Sequence, residues 1–230
     1  MPDQPFVFTL CDAESERLDF LRSSLHDNLF VLKTYCSTLG NLSKIFKVRD
    51  FLLSSTHLPD DQIIIFVDAY DVLCVRYELE ELVEKFKSTG QDLIMGAESI
   101  FCHHRSKVLP FFLETYMSEP ARYLNSGFVV AYKWAYLSML NYIANNFVTL
   151  FMDRHHHSDQ RAISTFMLHN VDLNLIKMGI DSQRQYCHTH TYADNPLDLS
   201  LISAYFVHVT WLALDIQKQA YDAIRDHFLR

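Results

Sequence analysis

The sequence predicts a layered α/β fold built on a mostly parallel sheet. Three observations lead there. Apolar strand-like runs alternate with amphipathic helical stretches through the first hundred residues. The run Ile63 to Val67 is unbroken and β-branched, as a central strand covered on both faces requires. No repeat, low-complexity tract or Pro/Gly/Ser-rich linker divides the chain, so residues 1–230 are expected to form a single domain. In order, Phe6–Cys11 reads as a first strand. Glu14–Leu25 reads as a helix with Leu18, Leu21 and Leu25 on one face. Phe30–Leu32 is a short strand, and Leu42–Leu53 a helix facing inward through Ile45, Val48, Phe51 and Leu52. Ile63–Val67 follows, then amphipathic Leu79–Phe86 and the apolar run Leu93–Met95. The second half predicts a strand at Gly127–Tyr132, helices at Tyr136–Phe147 and Asp159–Leu168, a short strand at Leu173–Ile176, and a closing helix at Leu214–Phe228.

A chain of 230 residues buries enough apolar surface to fold without disulfides or a structural metal. Its formal charge of −8 argues against non-specific nucleic-acid binding, which needs clustered Lys and Arg. No apolar stretch is long enough to span a bilayer, and the N-terminus lacks a basic region ahead of an apolar one. The cysteines are odd in number (Cys11, Cys36, Cys74, Cys102, Cys187) with no CxxC spacing, which favours buried free thiols over a disulfide framework. Together these features predict a cytoplasmic protein.

The most informative segment ends the central strand: Phe66-Val67-Asp68-Ala69-Tyr70-Asp71. In open α/β sheets, ligands bind at the carboxyl ends of strands. Two carboxylates there repel each other unless a cation lies between them. A divalent metal with oxygen ligands resolves the repulsion; the plainer alternative is that Asp68 caps a turn and Asp71 is solvated. Other polar groups also sit at the ends of apolar runs. These are Glu98 after Ala97, Asn125-Ser126-Gly127, Asp159-Gln160 opening a helix, and His208 after Tyr205-Phe206-Val207.

At these residues the chain resembles a glycosyltransferase of the GT-A fold, a Rossmann-like three-layer α/β/α architecture. It most resembles the glycosyltransferase domain of procollagen lysyl hydroxylases, the collagen glucosyl- and galactosyltransferase group. The DxxD spacing with an intervening Tyr, Ala97-Glu98 with Cys102 beyond, Arg122 to Phe128, Asp159-Gln160, His208 and Lys47-Val48-Arg49 carry the resemblance. It implies an Mn2+-dependent transfer of a hexose, glucose or galactose, from a UDP-sugar donor to an acceptor hydroxyl. Asp68, Asp71 and His208 would hold the metal. Tyr70 would flank the uracil, Thr9 would lie beside the nucleoside, and Lys47 would face the donor. Ser126 and Gly127 would line the sugar pocket, with Asn125, Asp159 and Gln160 as the catalytic group. The implied acceptor is hydroxylysine-linked, on a collagen-like protein, or a glycan. With no leader in this sequence, a microbial or viral relative is expected, and 230 residues leave no room for a hydroxylase domain.

The chain departs from the family pattern after His208. Val209-Thr210-Trp211 stands where the family has glycines that let backbone approach phosphate. Thr210 or Trp211 would have to contribute instead, and Trp211 is as well suited to burial as to stacking. Ser158 likewise precedes Asp159 where the family pairs two acids. A non-catalytic nucleotide-sugar or glycan binder is therefore the second function considered, and a metal-dependent phosphohydrolase the third. His155-His156-His157 and His103-His104 read as loop residues. His188 and His190 alternate along one extended face.

Overall fold

The computed structural model describes residues 4–26, 28–34, 40–101, 121–147, 158–192, 194, 197–210, 212 and 214–228. Nine strands are assigned there: β1 Phe6–Cys11, β2 Leu29–Lys33, β3 Ile63–Asp68, β4 Val72–Cys74, β5 Leu93–Glu98, β6 Tyr123–Tyr132, β7 Met178–Ile180, β8 Cys187–His190 and β9 Phe206–Val209. The helices are α1 Glu16–Ser24, α2 Ser43–Ser54, α3 Leu79–Ser88, α4 Lys133–Asn145, α5 Asp159–Leu173 and α6 Leu214–Phe228.

Six strands form the central sheet in the order β2-β1-β3-β6-β5-β7. The pairs β1–β2, β1–β3 and β5–β7 are parallel, and β6 alone runs against its neighbours. The mostly parallel α/β expectation is therefore met. Strand β3 shows why its sequence is apolar throughout. Ile64 and Phe66 join one core with α2, α4 and α5, while Ile63, Ile65 and Val67 join the other with α1 and α3. The second face also carries a small sheet, β4-β9-β8, which α6 covers through Tyr221 and Ile224.

Local chemistry sets the element ends. Ser15 caps α1 by accepting the Leu18 N–H, and Ser158 caps α5 by accepting the Arg161 N–H. Two expectations need correction. The strand expected at Leu173–Ile176 does not form. Helix α5 runs through Leu173 and ends on Asn174 in the left-handed conformation (φ 47°), and the strand follows at Met178. The Asn170 side chain accepts from the Leu175 and Ile176 amides and donates to the Ile176 carbonyl, which holds this segment as a loop. Strand β6 also begins four residues earlier than expected, so Asn125-Ser126-Gly127 lies within a strand.

Cys11, Cys74 and Cys187 are free and buried, as expected. Cys36, Cys102, His103-His104, His155-His156-His157 and Trp211 lie outside the described residues. Among the described residues no helix is long and apolar enough to cross a membrane.

Lys133, at the start of α4, is buried and donates from Nζ to the carbonyls of Ser55 (3.1 Å) and Leu58 (2.6 Å), tying α4 to the end of α2. Lys133→Met should destabilise the protein by roughly 1–3 kcal/mol, because buried carbonyls lose their donor. Urea denaturation checks this; an unchanged midpoint would refute the tie.

Candidate functional site

A cleft of about 460 Å³ opens at the carboxyl ends of β1 and β3. Three topological features build it. Strand β3 ends on Asp68, and the turn Ala69–Asp71 leads into β4. Strand β4 pairs with β9 in the register Val72↔His208, which brings a residue 140 positions away beside the acidic turn. On the other side β3 pairs with β6 through Val67↔Phe128, placing Gly127 against Asp68. The β5–β6 register then jumps from Met95↔Val129 to Gly96↔Asn125. This bulge leaves Ser126 and Gly127 unpaired on that side, and both line the cleft.

Asp68, Asp71 and His208 each offer a ligand atom, all within 4.8 Å of one another. His208 Nε2 approaches Asp71 Oδ2 to 3.3 Å, close enough for charges to interact, yet its alignment makes no hydrogen bond. A buried ring nitrogen without a hydrogen-bond partner, facing two carboxylates, fits a divalent cation. The O, O, N donor set suits Mn2+ among others. Burial opposes the charged form of His208, but Asp71 and Asp68 outweigh it and raise the imidazole above its ordinary value. Burial likewise disfavours ionised Asp71, and His208 beside it more than compensates, so Asp71 lies below the usual carboxylate range. Asp68 is pushed up, by burial first and by Asp71 as well, against the pull of Lys44. A cation binding here would compete with a proton for the imidazole.

Gly127 is required by contact. A Cβ there would stand 2.3 Å from His208 Cε1, 2.7 Å from Nδ1 and 3.0 Å from Asp68 Oδ2. No side chain fits at that distance.

The remaining expected residues divide. Asn125, Ser126, Asp159, Gln160 and Tyr70 line the cleft. Tyr70 is anchored through its hydroxyl, which donates to Asp12 Oδ1 (2.6 Å) and accepts from the Asp12 and Ala13 amides. Thr9 does not reach the cleft. It is fully buried and its hydroxyl donates to the Val67 carbonyl at 2.6 Å; Leu10, Cys11 and Asp12 occupy the end of β1 instead. Lys47 is exposed and also absent from the lining.

Lys44, which the sequence reading missed, takes the expected lysine's place. Its Nζ lies 2.9 Å from Asp68 Oδ1 and 2.6 Å from Asp159 Oδ2. Burial opposes its charge, but the two carboxylates hold it protonated. A usable signal existed: helices that follow strands begin at the carboxyl end of the sheet, so the first turn of α2 faces the cleft. Lys47 lies about 4.5 Å further along the axis. Arg17 was also missed. It donates to the Tyr70 carbonyl and to Gln217 of α6, while Gln217 donates to the Val209 carbonyl beside His208.

A larger cavity, about 690 Å³, lies at the opposite end of β1 and β2, beside Phe6, Leu29 and Tyr77. Its charged residues are Glu78, Glu80 and Glu81, which repel a diphosphate. His188 and His190 stack at 6.5 Å, and burial holds His188 down to about 4, so both rings are spent on the face of β8.

A sequence profile described as the PLOD GT domain, the lysyl hydroxylase glycosyltransferase domain, matches residues 34–197, more than half of the chain. The chain belongs to this family. Two solved structures share its fold. One is a glycosyltransferase involved in glycosylation of the major capsid of PBCV-1, 10% identical, with a TM-score of 0.55 over 95% of this chain and 100% of that one. The other is the galactosyltransferase LgtC in complex with donor and acceptor sugar analogues, 11% identical, with a TM-score of 0.56 over 97% of this chain and 96% of that one. No curated protein matches it. As a member of the PLOD GT family with a GT-A fold, the chain is a glycosyltransferase by family and architecture.

Gly127→Ala should weaken Mn2+ binding by at least about tenfold, because the added methyl displaces His208. Isothermal titration with MnCl2 tests it, and wild-type affinity in a folded variant would remove the steric argument.

Proposed function

We propose that this chain transfers a hexose, glucose or galactose, from a UDP-sugar to an acceptor hydroxyl in an Mn2+-dependent reaction. One observation carries the reading. Asp68, Asp71 and His208 converge at the carboxyl end of the sheet, with buried His208 Nε2 facing Asp71 Oδ2 at 3.3 Å outside hydrogen-bond alignment. Held by these three, the cation would supply Lewis-acid stabilisation of charge growing on the departing diphosphate.

The chain's own residues supply the rest. Lys44 adds a second positive charge beside the metal ligands. Once a cation satisfies Asp68, the ammonium is free to pair with Asp159 or a phosphate oxygen. Asp159 and Gln160 sit in the first turn of α5, at the cleft wall opposite the acidic turn. The Asp159 carboxyl group there can stabilise oxocarbenium-like charge or orient the acceptor hydroxyl. Tyr70, tied to Asp12, offers an aromatic wall for the base of the nucleotide. The proposed acceptor is a hydroxyl of hydroxylysine in a collagen-like chain, or of a glycan.

A second reading, a binder without turnover, draws on the backbone after His208. The Val209 amide is bonded to the Asp71 carbonyl, and the Thr210 amide to the His190 carbonyl. Neither is available to cradle a diphosphate, so that task falls to the metal and Lys44.

Release of UDP separates the readings. UDP-glucose, UDP-galactose, UDP-GlcNAc and UDP-glucuronic acid are incubated with the protein and Mn2+. The transferase reading expects UDP from a glucose or galactose donor. Asp71→Ala should lower that rate at least about 100-fold, the loss of ~3 kcal/mol of charge stabilisation. Donor binding without UDP release would favour the binder; full activity in Asp71→Ala would sink the metal-dependent mechanism.

A further inference from the structure

A further carboxylate behind the cleft, Glu98, bonds to none of the proposed metal ligands in the hydrogen bonds described, yet it is fully buried at the end of β5. Its Oε2 accepts from Asn125 Nδ2 at 2.8 Å, and its Oε1 accepts from Gln160 Nε2 at 2.5 Å. A fully buried carboxyl group costs free energy unless its hydrogen bonds are made, and both oxygens of Glu98 are engaged.

We propose that Glu98 is a positioning residue: through Asn125 it fixes the ring tautomer of His208 that can ligate a metal. The proposal rests on the metal-dependent reading above. The chain of hydrogen bonds permits one assignment. The Gly127 backbone N–H can only donate, and it meets Asn125 Oδ1 at 2.8 Å. The Glu98 carboxylate can only accept, and it meets Nδ2. These two partners orient the Asn125 amide unambiguously. His208 Nδ1 lies 3.0 Å from the same Oδ1, so Nδ1 carries the hydrogen and donates. The lone pair of the neutral ring is then left on Nε2, the atom facing Asp71. A reversed Asn125 would confront the Gly127 N–H and His208 with an NH2 group and leave the proton on Nε2, where it blocks coordination. Because Gln160 occupies its second oxygen, the Glu98 carboxylate is held against rotation. Gly96, opposite Asn125 across the bulge, leaves room: a Cβ there would stand 3.3 Å from the Asn125 carbonyl oxygen. Outer partners of metal-bound histidines act in this way, setting tautomer and ring direction.

The test uses the full chain, MnCl2 alone as the probe, and the long-range 1H–15N correlations of His208 at alkaline pH, where the ring is neutral. Wild type should show the Nδ1–H tautomer. Glu98→Ala should lower Mn2+ affinity about 10- to 100-fold and lose the Nδ1–H preference. Glu98→Gln should keep most of the affinity, since its carbonyl oxygen still accepts from Asn125 while Gln160 turns round. A merely structural role would move stability without moving the tautomer. Wild-type affinity and tautomer in Glu98→Ala would overturn the proposal, as would a Glu98→Gln loss as deep as that of Glu98→Ala. Should Glu98→Ala fail to fold, Asn125→Ala breaks the same relay, and unchanged Mn2+ affinity there overturns it equally. If the wild-type protein binds no Mn2+, the metal reading fails, and the tautomer comparison alone decides the role of Glu98.

Discussion

The structure around the cleft depends on how four carboxylates share a small, largely buried space. Asp68, Asp71, Asp159 and Glu98 meet where the sheet ends, and like charges at that density repel strongly. Each is answered differently. Lys44 bridges Asp68 and Asp159, His208 stands against Asp71, and Glu98 is satisfied by two side-chain amides. The balance is uneven around Asp68 and Asp71: burial and Asp71 push Asp68 up, while His208 holds Asp71 down. A divalent cation would complete it, which is the electrostatic case behind the proposed metal.

Glycine is scarce in this chain, with five in all, and their use is uneven. The positions just after His208 carry none, and the Val209 and Thr210 amides are tied to the Asp71 and His190 carbonyls. Gly127, by contrast, is where a ring, a carboxylate and a strand come within van der Waals distance. Close approach serves to bring His208 against Asp68. Under the proposed reading, phosphate charge would fall to a cation on Asp68, Asp71 and His208 and to Lys44.

Much of the fold was legible because its signals are local. Ile63–Val67 reads as a doubly covered strand and Leu79–Phe86 as an amphipathic helix, each from its own residues, and the structure forms both. The errors share one cause. Leu173–Ile176 is a short apolar run whose state periodicity leaves open, and Asn170, outside the run, decides it. Asn125-Ser126-Gly127 looks like the approach to a strand, but pairing with β5 makes it a bulge inside one. Thr9 sits at a strand end, but alternation turns it inward to Val67. Lys47 and Lys44 differ by less than one helical turn, and the start of α2 determines which of them meets the cleft.

The sequence by itself determined the fold class, the acidic turn after the central strand, and the residue types able to hold a cation there. Those follow from hydrophobic period and from the chemistry of neighbouring residues. Only the tertiary structure decided which groups meet: His208 opposite Val72 through β4–β9 pairing, Lys44 between two aspartates, and Glu98 behind Asn125. The reason is physical. Register and bulge are set by pairings between segments as far apart as Val72 and His208, and hydrogen-bond partners follow from those pairings rather than from any stretch of the chain.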